Sequence, residues 1–91
     1  MNRASQSWAV YWNQDVFWKD SPLWRVNAEI FFKRANRTLG FKPEDSVLDI
    51  GCGAGYLELF LSPLVKSICA VDVAQQFVDL AARRCRACQN V

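Results

Sequence analysis

Ninety-one residues, 52% hydrophobic and 22% charged, suit one small globular domain or part of one and exclude an extended disordered chain. The net charge of +2 divides as +2 over residues 1–45 (seven basic, five acidic) and zero over 46–91 (four of each), too little to indicate nucleic acid or an anionic membrane surface as a partner. No apolar run approaches the roughly 18 residues of a membrane span, and the polar start Met1 to Ser7 followed by the short Trp8 to Trp12 stretch is no signal peptide, so the expected compartment is the cytoplasm.

Residues 1–20 concentrate aromatics: Trp8, Tyr11, Trp12, Phe17 and Trp18. The first three share a helical face, which predicts a short helix that buries its rings against the rest of the domain, since aromatics carry large apolar area. The competing reading is a lid over a ligand. Ser21-Pro22 then offers an N-cap and a first-turn proline, and the helix is expected to run to about Leu39 and stop at Gly40. Trp24, Ala28, Phe31, Ala35 and Leu39 form its expected buried stripe. Lys33, Arg34 and Arg37 lie near the negative end of the helix dipole, which accounts for the basic cluster without a nucleic-acid partner. Phe41 to Asp45 reads as a turn.

The chain is organised around the next stretch. Val47, Leu48 and Ile50 read as a strand buried on both faces, and Gly51-Cys52-Gly53-Ala54-Gly55 then turns the chain into a helix marked by Leu57, Phe60 and Leu61. Alternating glycines permit a sharp bend and leave room for a ligand that a Cβ would displace. The helix start favours an anionic group there. That helix is expected to stop near Leu61, because Ser62 precedes Pro63. Ser67 to Asp72 reads as a second strand whose terminal carboxylate comes 17 residues after Gly55. Ligands of open parallel sheets bind outside the carboxyl ends of the strands, so Asp72 and the glycine loop are expected to face one crevice, where a carboxylate can accept hydrogen bonds from a ribose diol. A dinucleotide fingerprint Gly-x-Gly-x-x-Gly is not met, because Tyr56 stands at its third place.

From Ala74 the pattern is helical again, with Phe77, Leu80 and Ala81 inward and Asp79 spaced to pair with Arg83. Cys85 and Cys88 continue the face of Phe77 and Ala81. Their Cys-x-x-Cys spacing suits a zinc or redox pair, but no histidine or second pair completes a metal site, and the pair falls near a helix end rather than a start. Both are expected to pack as small hydrophobes, with Cys69 buried in the second strand. Gln89-Asn90-Val91 resembles the lead-in to a third strand.

Asp49-Ile50-Gly51-Cys52-Gly53-Ala54-Gly55, followed by Val71-Asp72-Val73, resembles motif I and the acidic end of strand 2 in class I S-adenosylmethionine-dependent methyltransferases, over about residues 44–91. The resemblance implies an α/β fold with a Rossmann-like parallel sheet, here only its N-terminal part: a helical cap over 1–45, then β-α-β-α over 46–91, incomplete at the C-terminus. It implies S-adenosylmethionine as cofactor, with the backbone of Gly51, Cys52, Gly53, Ala54 and Gly55 under its methionine part and its carboxylate as the anion at the helix start. Asp49 would hold the ammonium directly or through water, Asp72 the ribose hydroxyls, and Val73 would pack on adenine. No catalytic residue and no metal ligand is nominated; the catalytic groups are expected after Val91. The expected acceptor is a small molecule. Two rivals stand beside this reading. One is a non-catalytic interaction fragment whose open sheet edge invites self-association. The other is an NAD(P)-binding oxidoreductase, which Tyr56 disfavours.

Overall fold

A computed structural model describes Val10 and residues 22–91; the aromatic cluster expected at Trp8 to Trp18 and the N-cap Ser21 lie outside the described residues. Helix α1 spans Pro22–Leu39, and Gly40 ends it at φ 64° with its N–H donating to the Asn36 carbonyl at 2.8 Å. The Asn36 side chain then accepts the N–H of Phe41 at 3.1 Å, so one residue closes both the last turn and the exit. Strand β1 (Ser46–Ile50) leads through the glycine loop into α2 (Tyr56–Leu61) and a 3-10 turn (Ser62–Leu64). Strand β2 (Ser67–Val71) and helix α3 (Gln75–Arg84) complete the order. The strands are parallel, with Val47 opposite Ile68 and Ile50 opposite Val71.

The core gathers on one side of this ribbon. Leu61, Val65 and Ile68 are buried together, and Phe32, Phe41, Val47 and Leu64 pack against them. The expected stripe of α1 is therefore corrected: Phe31 is 60% and Leu39 69% exposed, while the neighbouring Phe32 stacks on Phe41 and Phe60 with ring centroids 6.5 and 6.0 Å away. Two adjacent phenylalanines fit the helical period nearly equally, and the two partner rings decide between them. Trp24 meets Phe77 of α3 edge-on at 6.0 Å.

The strands are not buried on both faces. Leu48 is 61% and Ile50 77% exposed, and Cys69 is exposed rather than buried. Side chains alternate across a strand, so the face carrying Val47 and Ile68 meets the core while the face carrying Leu48, Ile50, Cys69 and Val71 stays bare. On α3, Phe77 and Ala81 are buried and all four cysteines are free thiols, Cys85 buried and Cys88 half-buried. Asp79 does not pair with Arg83; it accepts the Gln75 side-chain amide at 2.9 Å, a partner one turn away that costs no charge desolvation.

Residues 89–91 form no strand, but the Asn90 carbonyl accepts the Ile68 N–H at 2.8 Å, along the edge of β2 that faces away from β1. The Asn90 side chain donates to the carbonyls of Ser62 (2.9 Å) and Val65 (3.0 Å), which fixes the end of the described chain against the 3-10 turn. Among the described residues no helix is long and apolar enough to cross a membrane.

Candidate functional site

The glycine loop is tied to β2 before it reaches α2. The N–H groups of Gly51 and Cys52 both donate to the Val71 carbonyl, at 2.8 and 2.9 Å, so the loop begins where the second strand ends. Gly53 follows at φ 56°, and its N–H donates to Asp72 Oδ2 at 2.8 Å, while Asp72 Oδ1 accepts the N–H of Ala74 at 2.9 Å. The Asp72 carboxylate thus bridges the loop and the start of α3. A Cβ on Gly51 or Gly53 would meet open space. Gly55 is different: at φ 84° a Cβ there would lie 2.8 Å from Cα and Cβ of Ala81. This glycine is where α3 docks under the loop.

Above the loop opens a cleft of about 850 Å³. Its floor comes from Asp49 to Ala54, its side from Val71, Asp72 and Val73, and its far wall from Trp24, Asn27 and Phe31 of α1. Of the residues expected at a site, Asp49, Gly51, Cys52, Gly53, Ala54, Asp72 and Val73 line this cleft; Gly55 does not, being buried against α3. Helix α2 has only six residues, too few for a large dipole, so its N-terminus adds less to anion binding than expected.

Beneath the floor lies a carboxyl group that sequence patterning did not single out. Glu58 of α2 has no exposed surface, and no N–H or alcohol donor reaches either carboxyl oxygen. Burial first, then a hydrogen bond to the facing Asp49 carboxyl and that group's negative charge, push the Glu58 carboxyl up to about 8, so it keeps its proton at neutral pH. Burial, followed by the carboxyls of Glu58, Asp72 and Asp49, pushes the Cys52 thiol up to about 12; it carries no thiolate with which to act as a nucleophile.

Arg84 of α3 is a second unanticipated element. Its guanidinium lies 3.7 Å from the centroid of the Tyr56 ring, donates to the Tyr56 hydroxyl at 3.0 Å and donates to the Ala54 carbonyl. It staples the loop to α3 through a cation–π contact and a charge-assisted hydrogen bond. The walls from α1 were also unforeseen, although the exposure of Phe31 follows directly from its place on the cleft. Among the described residues no group of acidic, cysteine or histidine side chains could hold a metal ion.

A family model described as a methyltransferase domain matches residues 47–91. A probable cobalt-precorrin-6B C(15)-methyltransferase (decarboxylating) of Methanococcus vannielii is 33% identical over 66 residues, which is 67% of this chain and 37% of that protein. The crystal structure of the YcgJ protein from Bacillus subtilis is similar with a TM-score of 0.58 and 32% identity, over 70% of this chain and 26% of its own. Phosphoethanolamine N-methyltransferase 1 of Haemonchus contortus, solved with phosphoethanolamine and S-adenosylhomocysteine, matches 99% of this chain and 21% of its own with a TM-score of 0.72; at 19% identity it shows the fold alone. The chain spans little more than a third of the first of these proteins and about a quarter or less of the other two.

Proposed function

Residues 47–91 belong to a class I methyltransferase domain, and from that premise we propose that this chain binds S-adenosylmethionine in the cleft between the glycine loop and α1 and serves methyl transfer. The family is one of transferases that use this cofactor, and the observation that carries the reading to this chain is the Asp72 carboxylate held against the N–H of Gly53 at 2.8 Å. The residues present fit the cofactor. Gly51 and Gly53 leave open space that a Cβ would occupy, and carboxyls suited to an ammonium and to a ribose diol, Asp49 and Asp72, line one cleft. Asp72 already accepts two N–H donors, yet a carboxylate offers about four acceptor sites, so ribose hydroxyls can join them.

In this assignment Asp49 takes the ammonium and the backbone of Gly51, Cys52, Gly53 and Ala54 underlies the methionine part. Gly55 fixes the loop on α3, Asp72 takes the ribose, and Val73 packs on adenine. The bound cofactor supplies a methyl carbon made electrophilic by the sulfonium. The work of this chain is positional: it holds the donor so that an acceptor can approach in line. None of its residues is assigned a proton transfer in the methyl-transfer step itself. We assign residues 1–45 to a helical cap and 46–91 to the cofactor-binding portion, a small molecule as acceptor, and the cytoplasm as compartment. The low net charge supports an acceptor other than nucleic acid.

A thermal-shift comparison tests the reading. S-adenosylhomocysteine and S-adenosylmethionine should each raise the melting temperature, and NAD should not, because only a ligand bound to the folded state stabilises it. An equal shift with NAD, or none with either sulfur compound, would remove the assignment. The second reading, a non-catalytic interaction module, is favoured by the bare sheet surface at Leu48 and Cys69, outside the cleft; it predicts concentration-dependent association in light scattering, which a stable monomer would contradict.

A further inference from the structure

We propose that Glu58 is a positioning residue that couples capture of a ligand ammonium at Asp49 to release of its own proton, so that the site selects ligands carrying a cationic amino-acid end. The inference rests on the cofactor reading above and concerns a residue outside the expected site.

Glu58 is fully buried, and no N–H or alcohol donor reaches either of its carboxyl oxygens; its hydrogen-bond contact is with the Asp49 carboxyl, which a protonated Glu58 can serve as donor. A buried carboxyl whose partner is another carboxyl is costly, because both cannot ionise cheaply, and an apolar or amide side chain of similar volume would pack there at lower cost. Its neighbourhood gives the cost a use. The titratable groups facing it are Asp49 from β1, Cys52 from the loop and Cys85 from the end of α3. All three bring negative charge if ionised. Of the cations on the packed helices, Arg25 of α1 lies over the Phe60 ring at 6.0 Å, Lys33 pairs with Glu29, and Arg84 lies over Tyr56; the causes that shift Glu58 include no cation. Burial and then the hydrogen-bonded, negatively charged Asp49 keep the proton on the Glu58 carboxyl up to about pH 8.

Asp49 lines the cleft and Glu58 lies behind it. A ligand ammonium placed against Asp49 competes with the Glu58 proton for that carboxylate and adds positive charge, which favours the ionised form of Glu58. The proton leaves the Glu58 carboxyl for solvent, and the bound ammonium then faces two carboxylates. By linkage, affinity for such a ligand rises with pH while Glu58 is protonated in the free protein and ionised in the complex, by at most tenfold per pH unit, and levels off above about 8. A ligand without the ammonium drives no such release.

The test is calorimetric titration at pH 6, 7 and 8 with S-adenosylhomocysteine and with 5′-methylthioadenosine, which shares the nucleoside but lacks the amino-acid end. Expected are a several-fold tightening for S-adenosylhomocysteine from pH 6 to 8, with proton release seen as a dependence on buffer ionisation enthalpy. Flat behaviour is expected for 5′-methylthioadenosine, and for both ligands with E58Q. Binding of S-adenosylhomocysteine that is flat with pH, or a slope that survives in E58Q, overturns the inference and leaves the cofactor reading standing. Absence of binding by both nucleosides at every pH overturns the cofactor reading, and the inference with it. A carbon-13 NMR titration of the Glu58 carboxyl in the ligand-free protein is independent of the variant's folding: a midpoint near 8 is expected, and an ordinary carboxyl midpoint overturns the inference.

Discussion

Asp72 Oδ2 accepts the N–H of Gly53 at 2.8 Å, and the same carboxylate holds the N–H of Ala74. One side chain at the end of β2 thereby sets both the bend of the loop before α2 and the entry to α3. Asp72→Ala removes the proposed ribose acceptor and, with it, the acceptor of two backbone N–H groups. Cofactor affinity should fall by one or two kcal/mol, about tenfold, through loss of charge-assisted hydrogen bonds, and the melting temperature should fall as well. Calorimetry with S-adenosylhomocysteine reads the first effect; unchanged affinity would take Asp72 out of the site.

The two kinds of glycine in the loop should separate by substitution. Gly55→Ala meets the backbone of Ala81 at 2.8 Å in a left-handed conformation, so strain and overpacking combine, at a cost of about 2–4 kcal/mol. Gly53→Ala carries the same conformational penalty, about 1 kcal/mol, but faces open space. Its larger effect should be on ligand affinity, because the new methyl enters the cleft. Urea denaturation of both variants checks the order, and equal losses of stability would mean that α3 does not dock at Gly55.

How far the chain could be read from its residues depends on where the deciding contact lies. Gly40 and Pro63 act on their own backbone, and the helices end beside them as expected, at Leu39 and Leu61. The pairing of β1 with β2 followed from two apolar runs separated by one helix. The choice of Phe32 over Phe31 was not local: it was made by Phe41 and Phe60, which no helical period reveals. Glu58 was missed for a related reason. Patterning assigns a glutamate to the solvent face, yet Glu58 and Leu61, three residues apart, are the buried residues of α2. Only the proximity of Asp49 shows why a carboxyl is there. Arg84 was equally invisible, since its partners Ala54 and Tyr56 lie 30 and 28 residues away.

Thiol reactivity should follow exposure and environment rather than the Cys-x-x-Cys spacing. Cys69 is exposed on the bare sheet face. The Cys52 and Cys85 thiols are pushed up to about 12 and about 11, by burial first, so at pH 8 only about one molecule in a thousand or fewer carries the reactive thiolate. Iodoacetamide labelling followed by peptide mass mapping should therefore modify Cys69 well before Cys52 or Cys85. Alkylation of Cys52 at the rate of Cys69 would contradict the raised thiol value that partial burial and the neighbouring carboxyls give Cys52. Slow labelling of Cys69 together with concentration-dependent association would instead show that another surface covers the sheet face.

The buried Glu58 also makes a prediction about stability that needs no ligand. Its folded-state value, about 8, lies above the ordinary 4.5, so below pH 4.5 the carboxyl is protonated both folded and unfolded, and its contribution is fully present. As pH rises from 4.5 towards 8 the unfolded chain gives up the proton while the folded chain retains it, and stability is progressively lost; above 8 both are ionised and the loss is complete. The range is wide enough for the loss to reach a few kcal/mol, comparable with much of the total stability of a small domain. Glu58→Gln replaces the protonated acid by a neutral amide of nearly the same shape. It should match the wild type near pH 4.5 and exceed it by a margin that grows up to pH 8, read as melting temperature across that range. Parallel melting curves for the two proteins would mean that Glu58 ionises in the folded state as it does in the unfolded chain, and that Asp49 faces no proton reservoir.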